Sequence, residues 1–275
     1  MDCKAFLGKL SATVASIIKI VLLSRSCHHP QRVKEGSELV ILGNGPSLND
    51  TLSQSAQWLA QKQKLALNFA ANTPVFTTLR PEYYVLADMH FFRGLEHDNV
   101  RRLWDSLNAV TWQMTLFVPV KAGSIPLTNS HVTVVRYNLT PVEGFSWLEN
   151  FAFSHGLGMP RPRNVLIPSL MLALQLGFKR IYVAGADHTW TRTLSVDECN
   201  RVVSIQPHFY KEDDKERKRI DTEYMHYPLH QILYSFYVAF RSYHTIERYA
   251  RECAGAGIYN ITPGSFIDAF ERKKV

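Results

Sequence analysis

Short apolar runs alternate with stretches of helical period along most of this chain. Leu39–Gly43, Leu65–Phe69, Tyr83–Asp88, Thr115–Val120, Val132–Tyr137, Arg180–Gly185 and Gly257–Thr262 each read as a strand. Several are apolar on both faces, as the strands of a buried parallel sheet are. Between them, Ser53–Lys64, Asn99–Leu107 and Pro168–Gly177 carry helical periodicity. Strands alternating with helices predict βαβ units and a doubly wound, mainly parallel α/β sheet.

After Asp187 the pattern changes. Trp190–Tyr224 has no clear period and contains KEDDKERKR, Lys211 to Arg219, with five positive and four negative charges. Such a run is a solvated loop or exposed helix turn rather than an anion site. A long insertion beside the carboxyl end of a central strand is where lids sit, so residues of about 190–228 are read as one. A long helix follows over roughly Leu229–Ala254, its apolar stripe running through Leu233, Phe236, Tyr237, Phe240 and Ile246, with Gly255 and Gly257 marking its end.

Composition narrows the picture. A chain of 275 residues, 46% hydrophobic and 12% aromatic, fits one large α/β domain with a sizeable core. No internal period suggests a solenoid. Cys3, Cys27, Cys199 and Cys253 are scattered without a CxxC pair and read as free thiols in a reducing compartment. The Asn-x-Thr sequons at Asn49, Asn138 and Asn260 are too common by chance to argue for secretion.

The formal charge of +7 is unevenly spread: residues 1–34 hold six lysines and arginines against Asp2 alone, a net +5. The rest is nearly balanced, which argues against a nucleic-acid surface on the body of the fold. Within the arm, Lys9 and Lys19 interrupt the apolar run from Ala5 to Arg25 and leave Leu10 to Ile18 as the longest uncharged stretch. A spanning helix needs about 20 apolar residues, and no small-residue cleavage site follows. Two readings stay open: a cationic amphipathic helix lying on an anionic membrane surface, or a helix packed on the domain. The expected organisation is an arm of residues 1–34 before a domain of residues 35–275, in a cytoplasmic protein that the arm could hold on the inner face of the plasma membrane.

The sharpest chemical signal is Leu39-Val-Ile-Leu-Gly43-Asn44-Gly45-Pro46-Ser47-Leu48. A strand runs into a glycine turn, then into a helix that Pro46 and Ser47 can start. Glycines let backbone approach a phosphate, and a helix N-terminus offers unpaired N–H groups. The run is neither GxGxxG nor GxxxxGK[ST], so neither a dinucleotide fingerprint nor an ATP-hydrolysing P-loop is indicated. Asn44 and Ser47 are polar and sit at the carboxyl end of the first strand, where open α/β sheets bind ligands.

LVILGNGPSL resembles the opening strand and nucleotide loop of the bacterial lipooligosaccharide sialyltransferases and their relatives. Ser169 to Asp187, a helix ending Leu-Gly-Phe-Lys and an apolar strand ending Gly185-Ala-Asp187, is similar to that family's second hallmark. The likeness extends weakly over residues 37–270. It implies a single Rossmann-like domain of GT-A-like type with a lid, a CMP-linked sugar donor, a glycan or glycolipid acceptor in lipopolysaccharide or capsule synthesis, no cofactor, no required metal, and inverting transfer with a histidine base. Under it, Gly43, Asn44, Gly45 and Ser47 match the nucleotide loop, Asn68 matches a donor-contacting asparagine, Arg163 falls within one position of an arginine before the hallmark helix, and Asp187 ends the hallmark strand. The family's tyrosine two residues after that aspartate is Thr189 here, between His188 and Trp190; Tyr210 is an alternative source of the phenol. The family's base cannot be matched by counting. Among His226, His230 and His244, His230 is favoured because it opens the long helix after the lid, whereas His244 lies mid-helix beside Arg241. His226 and His230 are four apart, but Pro228 between them and the lack of a following glutamate rule out a zincin pair.

A base that is neutral near pH 7 suits an acceptor hydroxyl, and Ser47, Arg163 and the turn could steady a leaving CMP phosphate. Two other readings compete. Archaeal pterin pyrophosphokinases share a similar loop and Gly-x-Asp strand, in which case Asp88 and Asp187 would hold Mg²⁺ for diphosphoryl transfer. A non-catalytic scaffold of polysaccharide assembly is the other. Nucleic acid is not expected as a partner, and self-association stays open.

Overall fold

Each of the seven apolar runs forms a strand in the computed structural model, which describes residues 2–27, 32–204 and 227–275. Strands β1 (Glu38–Leu42), β2 (Gln63–Leu67), β3 (Tyr83–Val85), β4 (Met114–Pro119), β5 (Val132–Tyr137) and β6 (Arg180–Ala184) are followed by β7 (Leu194–Val196), β8 (Val202–Ser204), β9 (Gly257–Asn260) and β10 (Glu271–Arg272). Eight of them make one sheet in the order β10-β9-β6-β1-β2-β3-β4-β5, while β7 and β8 pair apart from it as an antiparallel hairpin. All neighbours in the large sheet are parallel.

The double-sided apolar pattern has its expected cause. On β1, Leu39 and Ile41 face one layer and Val40 and Leu42 the other, and all four are buried. The first layer holds α7 (Ser146–Ser154), α8 (Leu166–Leu176) and the long helix α9 (Leu229–Tyr249). The second holds α2 (Leu48–Gln54), α3 (Ala56–Ala60), α4 (Pro74–Leu79), α5 (His90–Arg93) and α6 (Asp98–Asn108). Helix α8 is apolar all round because it is enclosed between the sheet and α9. It stops where Gly177 takes a left-handed φ of 91°.

Strand order decides where a ligand can sit. The chain steps from β1 outward to β5, then returns through α7 and α8 to place β6 on the other side of β1. The connections leaving the carboxyl ends of β1 and β6 therefore diverge, which opens a crevice between them.

Several expectations need correction. Ser53–Lys64 is not one helix: α2 and α3 are broken at Ser55, which has φ −123°, and the chain is already in β2 at Gln63. The stripe of α9 is rotated from the expected one. Ile232, Phe236, Tyr243 and Ile246 are buried, whereas Leu233 and Tyr237 are exposed. The described start of the expected lid has structure of its own, a 3-10 turn at Trp190–Arg192 and the β7–β8 hairpin. Val202 anchors that hairpin on Ile232 and Phe236 of α9. Residues 205–226, and with them Tyr210, His226 and the charged run, lie outside the described residues.

The arm forms a continuous helix, α1 (Cys3–Leu23), with Asp2 as its N-cap. Lys9 and Lys19 do not interrupt it, and by length and composition it could cross a membrane, with a mean hydropathy of 1.8. It is also docked on the domain. Ser16 Oγ donates to the Glu143 carbonyl at 2.8 Å and accepts from the Glu143 N–H at 2.9 Å. Thr13 Oγ1 accepts from the Phe145 N–H at 2.9 Å.

Candidate functional site

A cavity of about 480 Å³ opens in the crevice between β1 and β6. Its walls come from the turn after β1 (Gly43, Asn44, Gly45), the end of β2 (Asn68), the end of β3 (Asp88), the approach to α8 (Arg163, Asn164) and the segment after β6 (Asp187, His188, Trp190). Segments far apart in sequence meet there because parallel strands deliver all their carboxyl ends to one edge of the sheet.

The two segments that carried the family resemblance lie against each other. Beyond the last residues of the strands, the Gly43 N–H donates to Ala184 O at 2.7 Å and the Gly45 N–H to Gly185 O at 2.8 Å. Ser47 Oγ donates to Asp187 Oδ2 at 2.8 Å, across 140 residues of sequence. Glycine is required by this crossing. A Cβ on Gly43 would lie 2.4 Å from Gly185 O, and one on Gly45 would lie 1.9 Å from Asp187 Oδ2.

The glycines thus have a packing reason of their own. The N–H groups of Gly43 and Gly45 are spent on the neighbouring strand, and α2 spans only seven residues. Ser47 does not cap α2 with its side chain; it is buried and holds the Asp187 carboxylate in place. Arg163, exposed at the rim, is the cationic one among the lining residues.

Two non-glycine lining residues sit in the left-handed region that L-residues seldom adopt, Asn68 at φ 47° and His188 at φ 52°. Asparagine and histidine tolerate it better than most, and such strain gathers at binding sites. At Asn68 it is held by Tyr84, whose hydroxyl donates to the Asn68 carbonyl and accepts from the Ala71 N–H at 2.9 Å. The Asn68 Oδ1 is buried without a hydrogen-bond partner among the described residues. A buried acceptor in that condition costs about 1–3 kcal/mol, a deficit that a ligand donor would remove.

His188 is fixed by a chain of partners. Its Nε2 lies 2.7 Å from the Tyr243 hydroxyl of α9, and Asn164 Nδ2 donates to that hydroxyl at 2.9 Å. Asn164 Oδ1 meanwhile accepts from the Leu166 and Ile167 N–H groups, tying the chain to the start of α8. The residue keeps some exposure, but its ring is enclosed by Trp190, Phe240 and Tyr243. Burial drives its pKa down to about 3, so the imidazole is neutral, and the one proton of the Tyr243 hydroxyl lies within reach of both His188 Nε2 and Asn164 Oδ1. Burial pushes the Tyr243 phenol up, which keeps it a donor.

The structure thus brings Gly43, Asn44, Gly45, Asn68, Arg163, Asp187 and His188 to one cavity, with Ser47 directly behind Asp187. His230 is not among the lining residues and stands exposed on the first turn of α9. His244 is exposed too, 3.2 Å from Asp268. Asn164 and Tyr243 escaped sequence reasoning; only the position of Asn164 just before an apolar helix, where caps occur, could have drawn attention to it. Asp88 and Asp187 both line the cavity, yet no three His, Cys, Asp or Glu side chains among the described residues cluster as a metal site.

Fold and cavity together define an open, parallel α/β protein with a cavity at the switch point of its sheet, where such folds bind ligands. No protein-family model matches the chain, and neither does any curated protein. Among solved structures, the MAf glycosyltransferase from Magnetospirillum magneticum AMB-1 is similar, with a TM-score of 0.47 and 14% identity over 99% of this chain and 39% of that one. The chain thus spans about two fifths of that protein's length. A likeness this loose leaves function to be argued from the chain's own residues.

Proposed function

We propose that this chain is a glycosyltransferase that takes its sugar from a CMP-linked donor bound in the cavity between β1 and β6. The observation that carries the reading is the contact between the Gly43–Leu48 turn and the Gly185–Asp187 segment. These two blocks bear the family resemblance, and together they wall a cavity at the place where open α/β sheets take nucleotides. In this reading the unpartnered Asn68 Oδ1 accepts from a donor hydroxyl or amine, Asn44 helps hold the nucleotide, and Arg163 at the rim offsets charge on the leaving phosphate.

The proton acceptor is assigned within the cavity. His188 is neutral but already engaged by Tyr243, and its low pKa makes it a poor base near pH 7. Asp88 and Asp187 are the remaining titratable acceptors on the wall, and Asp187 is oriented by Ser47. We assign the role to one of these carboxylates in preference to His230. Turnover of His230→Ala against Asp88→Asn and Asp187→Asn decides it: a base typically contributes about 10²–10⁴-fold in rate.

The reading is tested by titrating the purified chain with CMP and with ATP plus Mg²⁺, and by following release of CMP from CMP-sialic acid with and without EDTA. CMP binding that weakens in Asn44→Ala and Asn68→Ala, with turnover that survives EDTA, supports it. Binding of ATP–Mg²⁺ in place of CMP overturns it in favour of diphosphoryl transfer, the second reading, which the placement of Asp88 and Asp187 on one cavity wall favours. No affinity for either nucleotide leaves the scaffold.

A further inference from the structure

Helix α1 is amphipathic in the inverted sense. A surface helix ordinarily turns its apolar stripe to the core and its polar face to water. Here Thr13 and Ser16 are the buried residues, bonded to backbone at Glu143 and Phe145. Leu7, Leu10, Val14, Ile18, Val21 and Leu22 are all exposed, Val21 at 73%. At about 100° per residue these six fall on one arc of the helix, so the exposed residues form a stripe.

The docking is specific. Gly144 has φ 140°, and a Cβ there would come within 2.2 Å of Thr13 Oγ1. Beyond the helix, Ser24 Oγ donates to Thr140 Oγ1 at 2.8 Å, and the Arg25 N–H donates to Asn138 Oδ1 at 2.9 Å. Polar bonds from Thr13 to Arg25 thus hold the helix along residues 138–145 with its apolar side outward. The surface continues onto α7, where Trp147 and Phe151, one turn apart, are 62% and 51% exposed, and Phe6 meets Phe145 with ring centroids 5.6 Å apart.

We propose that this face seats the protein in the interfacial region of an anionic lipid bilayer, with α1 lying in the membrane plane. Charge selects this occupant over a second copy of the chain. Lys4, Lys9 and Arg25 are exposed and Lys19 partly so, with Asp2 the sole acid in the arm, and the chain as a whole carries +7. A cationic rim around an apolar stripe complements acidic headgroups over acyl chains, whereas two such faces would repel. Tryptophan beside the stripe fits the headgroup level. Docking along the domain argues for lying flat rather than crossing, although the length of α1 would allow a span. Leu139, in the same 138–145 segment, lines the cavity, so one short stretch of chain joins the membrane face to the site.

The test uses the full chain with vesicles of phosphatidylcholine alone and with phosphatidylglycerol added. Binding is expected on the anionic vesicles and to weaken steeply with salt. Each of Lys4→Gln and Lys19→Gln should weaken it about fivefold. Val14→Glu/Val21→Glu should weaken it by roughly a hundredfold or more, since each valine seated in the bilayer is worth about tenfold. Both valines are exposed, so the melting temperature should hold; blue-shifted emission on vesicles, lost in Trp147→Phe, gives a reading independent of the helix variants. Three results would overturn the proposal. These are absence of binding or indifference to the glutamates, a wild-type dimer that the glutamates dissociate, and resistance to alkaline extraction, which marks a spanning helix.

Discussion

Replacing Gly45 by alanine probes the crossing on which the site depends. The added Cβ would lie 1.9 Å from Asp187 Oδ2 and 2.7 Å from the Gly185 carbonyl oxygen. Backbone retreat is opposed because the Gly45 N–H is bonded to that same carbonyl at 2.8 Å. The Asp187 side chain must swing away, which breaks its 2.8 Å hydrogen bond from Ser47. Overpacking costs about 1–3 kcal/mol and a hydrogen bond to a charged group about 1.5–3 kcal/mol, and the two overlap because the carboxylate partly relieves the clash. The expected loss is about 3 kcal/mol, which lowers the melting temperature by roughly 6–12 °C in a chain of this size. Ser47→Ala, which removes the hydrogen bond without a clash, should cost about 1.5 kcal/mol, the lower end of that bond's range. Gly123→Ala serves as control, because nothing lies within 4 Å of its Cβ position. Calorimetry gives the stability and CMP titration the function, and Gly45→Ala should lose affinity even well below its melting temperature. If Gly45→Ala melts and binds like the wild type, the close crossing and the site built upon it are refuted.

Four further expectations follow from the structure. His188 has its folded pKa depressed to about 3 against an ordinary 6.5, so between these values the unfolded chain binds the extra proton. Its contribution to stability should therefore be full above pH 6.5 and fade as pH falls toward 3, and its ring resonances should not titrate between pH 5 and 8. Tyr243→Phe removes the hydroxyl from His188 Nε2 and from Asn164, at a cost of about 1–3 kcal/mol readable by denaturant titration; a neutral result would break the Asn164–Tyr243–His188 chain. Asn68→Gly should keep the left-handed turn at φ 47° and the fold while weakening CMP binding through loss of the side-chain acceptor, and unchanged affinity would remove Asn68 from the site. Gly144→Val should release α1 by driving a side chain into Thr13, detected as protease sensitivity near residues 24–27 with the domain intact.

Periodicity was enough to name the seven long-sheet strands, the central ones because they are apolar on both faces where they lie between helical layers. The two-residue β10 and the β7–β8 hairpin carried no such signal, being too short or too exposed for alternation to register. Residues 39–48 could be marked from sequence as a glycine turn at the end of a strand. What its glycines are for could not, because Gly185 and Asp187, the atoms they must clear, lie 140 residues on. Asn68 and Arg163 were singled out through resemblance and His188 as the neighbour of the departing Thr189, and all three line the cavity; Asn164 and Tyr243 were not singled out, as a buried hydrogen-bond chain leaves no local pattern. His230, favoured from its residue type and place in the chain, is exposed and not among the described residues that line the cavity.

The arm separates the two kinds of information most clearly. The sequence alone marked the run from Ala5 to Arg25 as a helical, apolar and cationic arm, because propensity and charge are local properties. Which side of that helix meets the protein was decided by tertiary structure, since Thr13 and Ser16 find their partners in the backbone at Glu143 and Phe145, more than a hundred residues away. The same holds for the site. Its residue types were written along the chain, but the cavity exists because the strand order reverses at β1 and β6, and that order is set by how the whole sheet buries both of its faces.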